Sequence, residues 1–257
     1  MRIIAHTCSN TEIVCALGRA DWLVGVDDHS DFPPGIVGGL PRVGPDLDID
    51  VERVEALKPD LVITSLTVPG HERCLERLRN AGLPCLVTQP HSLADVVEDI
   101  RRIGQALDAE QSAADLIAKF EQRLNTPIPD HPPVPVLIEW WPKPVIVPGR
   151  KSWVNEMLQL VGGVNPFAEA DCESREIATA QAVAARPEAI VMSWCGVAED
   201  KYRPHIVTRR EGWSAIPAIQ SGRVVPISEA WLGRPGPRLI EGIDKLAEVV
   251  HACRNAG

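Results

Sequence analysis

This sequence predicts an α/β protein made of two similar halves, each with a parallel sheet, and three observations predict it. The first is an internal repeat: Ala56-Leu-Lys-Pro-Asp-Leu-Val-Ile-Thr-Ser65 matches Ala184-Ala-Arg-Pro-Glu-Ala-Ile-Val-Met-Ser193 in residue type. Each copy reads as a helix end, a proline that stops it, an acid and a short apolar run of the kind buried on both faces of a sheet. The second is the alternation of such runs with helical patterns in both halves, which means parallel sheets. The third is size, since 257 residues are enough for two lobes of roughly 120 residues each.

In chain order the first half reads as strands Ile3 to Ala5, Leu23 to Val26, Leu61 to Ser65 and Cys85 to Thr88, with helices between them. Ser9-Asn10-Thr11-Glu12 predicts a capping box at the first helix, and Gly18 ends it. Asp50 starts a helix over 51–57 and Thr179 one over 180–185. From Ser92 to Leu124 apolar residues recur at helical spacing, with a bend at Asp108. If Glu110 to Leu124 is one helix it spans roughly 20 Å, enough for a strut. The second half reads as strands Val136 to Trp140, Ala189 to Ser193 and Val224 to Ile227, and a helix Ser152 to Val161 stopped by Gly162-Gly163. The organisation expected is an N-terminal α/β lobe 1–91, a helical connector 92–130 and a C-terminal α/β lobe 131–257.

Composition excludes several classes. Lys and Arg number 26 against 35 Asp and Glu, a net charge of −9 with no local basic cluster, so a nucleic-acid partner is not expected. No apolar run approaches the ~20 residues of a membrane span, so insertion into a membrane is not expected. Met1-Arg2 runs straight into the first core strand with no basic, apolar and cleavage segments before it, which as written implies a cytoplasmic protein. Seven cysteines without a CxxC pair read as small buried hydrophobes rather than a disulfide or zinc framework. GxSxG, P-loop and GxGxxG motifs are absent, so no enzyme is predicted; the best catalytic alternative is Cys8, a thiol at a helix N-terminus with His6 as its base.

Parallel sheets bind ligands outside the carboxyl ends of their strands, which places a site in a cleft between the two expected lobes. The residues at those ends are His6 to Ser9, Leu66-Thr67, Thr88 to His91, Trp140-Trp141, Trp194-Cys195 and Glu229 to Trp231. Seven Trp against three Phe and one Tyr, four of the Trp at these ends, suit a large flat ligand. Trp140 and Trp141 cannot both face it, because strand neighbours point opposite ways. His6 and Cys8 share a side and His91 lies at another strand end; without compact metal-ligand spacing, these fit one axial contact to a chelated metal better than a bound ion. Asp27-Asp28-His29-Ser30-Asp31 reads as a solvated turn before Pro33-Pro34.

Ala56 to Ile63, Pro148-Gly-Arg-Lys-Ser-Trp-Val-Asn155, Gly162-Gly-Val-Asn165 and Arg186-Pro-Glu-Ala-Ile-Val191 resemble the substrate-binding proteins of ABC importers for cobalamin and iron siderophores. The cobalamin-binding branch fits best, through Trp140 to Asn165 and Trp231-Leu-Gly-Arg-Pro-Gly-Pro-Arg238, a stretch that includes Arg234. The resemblance implies two Rossmann-like lobes with parallel sheets joined by a long backbone helix, and pocket aromatics at Phe167 and Trp231. Leu66 stands where a relative has Trp, and Thr88 stands near another lost aromatic, so the N-terminal wall departs from the pattern. Docking to an ABC permease is implied through one acid on each lobe: Glu72 by its motif, and by the internal repeat Asp200 with Glu199 beside it.

The ligand-binding set expected is therefore Cys8, Ser9, Leu66, His91, Trp141, Phe167, Trp194, Trp231 and Arg234. The expected function is non-catalytic binding of a corrinoid such as cobalamin or a related metal chelate by a monomer that needs no cofactor. It serves either as an uptake component with a permease partner or as a cytoplasmic carrier, with siderophore or haem as the alternative ligands.

Overall fold

A computed structural model describes residues 1–255. The chain divides into two compact units: unit 1 comprises Met1–Pro90 and Ala94–Gln122, and unit 2 comprises His91–Leu93 and the chain from Arg123 onward.

Unit 1 runs β1 (Ile3–Ala5), α1 (Cys8–Ala16), β2 (Leu23–Val26), α2 (Pro34–Val37), α3 (Val51–Ala56), β3 (Leu61–Ser65), α4 (His71–Asn80), β4 (Cys85–Thr88), α5 (Leu93–Ala106) and α6 (Glu110–Leu124). Its four strands form one sheet in the order β2-β1-β3-β4, and every pairing is parallel. Ile3, Ile4 and Ala5 are fully buried, as a strand covered on both faces must be. The break at Asp108 has a definite geometry. Asp108 takes a left-handed conformation (φ 47°), Ala109 N–H reaches Gly104 O at 2.8 Å, and Arg19 Nε donates to Leu107 O at 2.9 Å, so the last carbonyls of α5 are satisfied. Gly18 closes α1 in the same way, with φ 72° and Arg19 N–H on Val14 O.

The start of α1 differs from expectation. The helix begins two residues earlier than a Ser9 cap would place it, at Cys8, and its cap residue Thr7 makes no side-chain cap bond. Ser9 lies inside the first turn, and Glu12 is buried. Asp50 does cap α3, its carboxylate accepting Arg53 N–H at 3.0 Å.

Unit 2 runs β5 (Val134–Glu139), β6 (Trp141–Pro142), β7 (Val145–Pro148), α7 (Val154–Leu160), β8 (Gly163–Val164), β9 (Ser174–Glu176), α8 (Thr179–Ala185), β10 (Ala189–Met192), α9 (Pro204–Thr208), α10 (Pro217–Gln220), β11 (Val224–Pro226), α11 (Glu229–Leu232) and α12 (Leu239–Arg254). Its main sheet has the order β11-β10-β5-β8 and is parallel. A second sheet, β6-β7-β9, is antiparallel, which a reading of parallel sheets alone does not anticipate.

The sequence repeat is a conformational repeat. Lys58 and Arg186, each ahead of its proline, are both left-handed (φ 48° and 46°). The acid after each proline then donates its N–H to the start of its unit's first strand: Asp60 to Arg2 O and Glu188 to Pro135 O, both at 2.8 Å. β3 and β10 follow, each pairing with that strand.

Candidate ligand-binding site

In unit 1 the carboxyl ends of β1, β3 and β4 meet in a buried polar cluster. Ser65 Oγ is its centre, bonded to Thr7 Oγ1 (3.0 Å), Asn10 Nδ2 (3.0 Å) and Thr88 Oγ1 (2.7 Å). Asn10 Nδ2 also donates to His6 O, tying α1 to the end of β1. Thr7 pays for its place there with φ 88° and ψ 141°, a region a β-branched residue seldom enters. His6 is fully buried, its Nδ1 2.8 Å from Thr64 Oγ1, and its ring centroid lies 6.0 Å from that of buried His71. Burial, and then the neighbouring His71, push the His6 pKa down to about 4. Asp46 lies 3.6 Å from His71 Nε2 and 3.7 Å from His29 Nε2, and the neighbouring His71 ring holds its carboxyl below the usual range.

Of the predicted residues here, Ser9 is buried, and Cys8 and Leu66 are half-buried. Cys8 Sγ is 4.0 Å from Asp27 Oδ1. Asp27 and Ser30 are not solvated as a surface turn would be. Asp27 is fully buried and accepts from His29 N–H (2.7 Å) and Ser30 Oγ (3.0 Å), while Asp28, His29 and Asp31 are exposed. Glu72 is exposed in the first turn of α4 and accepts Gly70 N–H at 2.9 Å.

In unit 2 the key group is Glu139, at the carboxyl end of β5 and fully buried. Arg210 Nη1 and Nη2 clasp it at 2.6 and 3.1 Å, and Trp194 Nε1 donates to it at 3.0 Å. The Arg210 guanidinium lies 4.1 Å above the Trp213 ring and also donates to Pro142 O (3.2 Å) in β6. From Trp194 the chain of contacts continues. Tyr202 packs on its ring at 5.3 Å and donates its hydroxyl proton to Trp194 O, and Glu229 N–H donates to the Tyr202 oxygen. Glu229 in turn pairs with Arg234 at 2.9 Å.

Trp194 is thus part of the core, 4% exposed, and Arg234 is held within the protein. Phe167 is half-buried against the same core cluster. Asn165 Oδ1 accepts its N–H, and Asn165 Nδ2 donates to Pro148 O and Asn155 Oδ1, so the two motifs around 148–155 and 162–165 form one network. Trp231 lies with Arg238 at 5.1 Å and Lys245 at 5.0 Å from its ring, on a cavity of about 270 Å³ that Glu199 also lines. His91 is paired with Glu173 at 3.2 Å, both about a third exposed. Trp141 is 40% exposed. Glu199 and Asp200 are exposed in a short 3-10 turn beyond β10.

Sequence reasoning passed over Phe32, Ile36, Leu47, Val68 and Ile206, all large apolar side chains about 40% exposed. With Trp141 they fall, in chain order, on the connections and short helices that follow β2, β3, β5 and β10, whereas Met1 and Ile128, the other exposed large apolar residues among those described, do not. Their signal in the sequence was Phe32-Pro33-Pro34 and Val68-Pro69, apolar residues next to prolines in non-helical chain. Among the described residues no group of three His, Cys, Asp or Glu side chains is arranged to hold a metal ion, and no helix is long and apolar enough to cross a membrane.

Comparison with known proteins agrees with this architecture. The chain is 33% identical over 260 aligned residues to the uncharacterized ABC transporter substrate-binding lipoprotein YvrC of Bacillus subtilis strain 168, covering 97% of this chain and 80% of that protein. Among solved structures it is similar to the periplasmic heme-binding protein RhuT from Roseiflexus sp. RS-1, with a TM-score of 0.84, 27% identity and 98% of both chains covered. It is also similar to the periplasmic vitamin B12 binding protein BtuF of Vibrio cholerae, with a TM-score of 0.81, 26% identity and 98% and 97% covered. These relatives overturn the cytoplasmic location expected from the first residues. A lipoprotein and two periplasmic proteins point to a place outside the cytoplasm, and a strand-forming start such as Ile3–Ala5 is needed by the fold on either side of a membrane. The profile of the periplasmic binding proteins matches residues 3–230, and the chain belongs to that family.

Proposed function

We propose that this protein binds a corrinoid of the cobalamin type, or a closely related metal chelate, and delivers it to an ABC permease. The observation that carries the reading is the concentration of exposed large apolar side chains on the segments that follow parallel strands in chain order, since α/β sheets hold ligands outside the carboxyl ends of their strands. Trp141, Phe167 and Leu66 are the ligand contacts of choice among the predicted set, since each keeps surface to offer, and His91 is the axial candidate. Trp194 and Arg234 support the wall from behind. Glu72 on α4 and Glu199-Asp200 beyond β10 follow the two equivalent strands of the repeat and are exposed, as acids that meet a permease must be. The names of the vitamin B12 and lipoprotein relatives support this reading.

Haem is the second reading, favoured by the high TM-score to a haem-binding protein and by the partly exposed His91. Titration of the purified protein with cyanocobalamin, followed by Trp fluorescence and calorimetry, tests the first reading. Saturable one-to-one binding at micromolar affinity or tighter is expected; no heat and no quenching, with haemin binding instead, would replace the corrinoid by haem.

A further inference from the structure

We infer that the outer face of the small antiparallel sheet in unit 2 is a ligand platform, on which Trp141 and Ile146 take a flat apolar ring while Glu176 takes a hydrogen-bond donor or cation on its rim. The inference rests on the reading of the protein as a binder of a flat chelate. The register places the three residues in one row: Trp141 lies opposite Ile146, and Ile146 opposite Glu176. Residues directly opposed in antiparallel strands share a face. Val147, the next residue along β7, points the other way and is fully buried in the core of unit 2. The row therefore faces outward, with Trp141 40% exposed, Ile146 half-buried and Glu176 exposed.

Three strands at about 4.8 Å spacing make the row about 10 Å wide, the breadth of a macrocycle rather than of a single small ring. An indole left in solvent on such a row loses apolar burial that the fold makes no use of, and a flat ligand would recover it. The row is also held still. Trp141 Nε1 donates to Lys143 O at 3.1 Å, and Pro142 O beside it accepts from Arg210, itself clasped to buried Glu139.

Glu176 gives the platform a chemical preference. A carboxylate at one end of the row accepts amide N–H, hydroxyl or ammonium groups on the edge of a ring and repels carboxylates there. The amide-bearing rim of a corrinoid suits it, and the carboxylate-bearing edge of a haem does not.

The test is calorimetric titration of the full chain and of Trp141→Ala, Glu176→Gln and Glu176→Lys with cyanocobalamin and with haemin, each variant first checked for an unchanged melting curve. Trp141→Ala is expected to weaken whichever probe the wild type binds by about tenfold, as the loss of a stacking surface does. Glu176→Lys is expected to move the cyanocobalamin-to-haemin preference at least about fivefold toward haemin, with Glu176→Gln between it and the wild type. Wild-type affinities in both Trp141→Ala and Glu176→Lys would overturn the platform. A wild type that takes haemin alone, yet loses it in Trp141→Ala, would end the corrinoid reading and overturn the Glu176 preference while upholding the apolar row; binding of neither probe would end both.

Discussion

Arg210 and Glu139 are joined by two hydrogen bonds, at 2.6 and 3.1 Å, although they are 71 residues apart in the chain and Glu139 has no exposed surface at all. Removing one partner strands a buried charge, which costs about 3 to 5 kcal/mol, whereas neutralising both costs far less. Arg210→Met is therefore expected to destabilise the protein by several kcal/mol, and Glu139→Gln combined with Arg210→Met to recover most of the loss. Urea unfolding of both variants followed by circular dichroism checks this; a double variant as unstable as the single one would mean that packing on Trp213 and Pro142, not charge, is what Arg210 supplies.

Two buried groups in unit 1 make stability depend on pH in opposite directions. His6 is neutral when folded, with its pKa pushed down to about 4 by burial and by His71. The unfolded chain therefore binds the extra proton between about pH 6.5 and 4, and stability falls as pH drops through that window, by about 3 kcal/mol at most. Burial raises Asp99 to about 6, so its penalty is present above that pH and is relieved as pH falls toward the unfolded value near 3.8. Asp99→Asn is expected to gain about 1 to 3 kcal/mol at pH 7.5 and nothing at pH 4, and also to steepen the acid limb by removing the opposing group. His6→Gln flattens that limb. Denaturant midpoints measured at half-unit steps from pH 4 to 8 give the test, and parallel profiles for wild type and variants would exclude both assignments.

Thr7 holds a conformation that favours glycine while its hydroxyl bonds Ser65 and Asn10. Thr7→Val keeps the backbone strain and removes the hydroxyl, leaving buried polar partners short of a bond at a cost of about 1 to 3 kcal/mol. Thr7→Gly loses the same bonds but releases the strain, so it is expected to be the milder change. Because both variants lack the hydroxyl, the difference between their melting temperatures measures the strain, and a Thr7→Gly variant that melts below Thr7→Val would show that the strain is not what distinguishes them.

Gly242 lies where α12 passes α11, and a Cβ there would come within 2.0 Å of Trp231 O. Backbone cannot yield as a side chain does, so Gly242→Ala is expected to cost about 1 to 3 kcal/mol and to shift the Trp231 environment. Melting temperature and Trp fluorescence report both; an unchanged protein would show that α11 moves freely away from α12.

The α/β class, the repeat and the four strands of unit 1 are legible in the amino-acid order, because those features are local. A helix stop at Lys58-Pro59 or Arg186-Pro187, a buried apolar strand after it and a bend at Asp108 are each written in a few adjacent residues. The small sheet was not legible, since β6 and β9 span two and three residues and prolines at 142, 144 and 148 hide any alternation. Which residues at the strand ends keep surface to offer depends on how distant parts of the chain pack together. Trp194 and Trp141 look alike in sequence, yet the first is drawn into the core by Glu139 and Tyr202 while the second stands 40% exposed. Burial is a property of partners brought from far along the chain: Thr88 and Ser65 are 23 residues apart, Trp194 and Glu139 are 55, and Arg210 and Pro142 are 68. No window along the sequence contains those distances, so the candidate site's chemistry could be named from the sequence but its working surface could not.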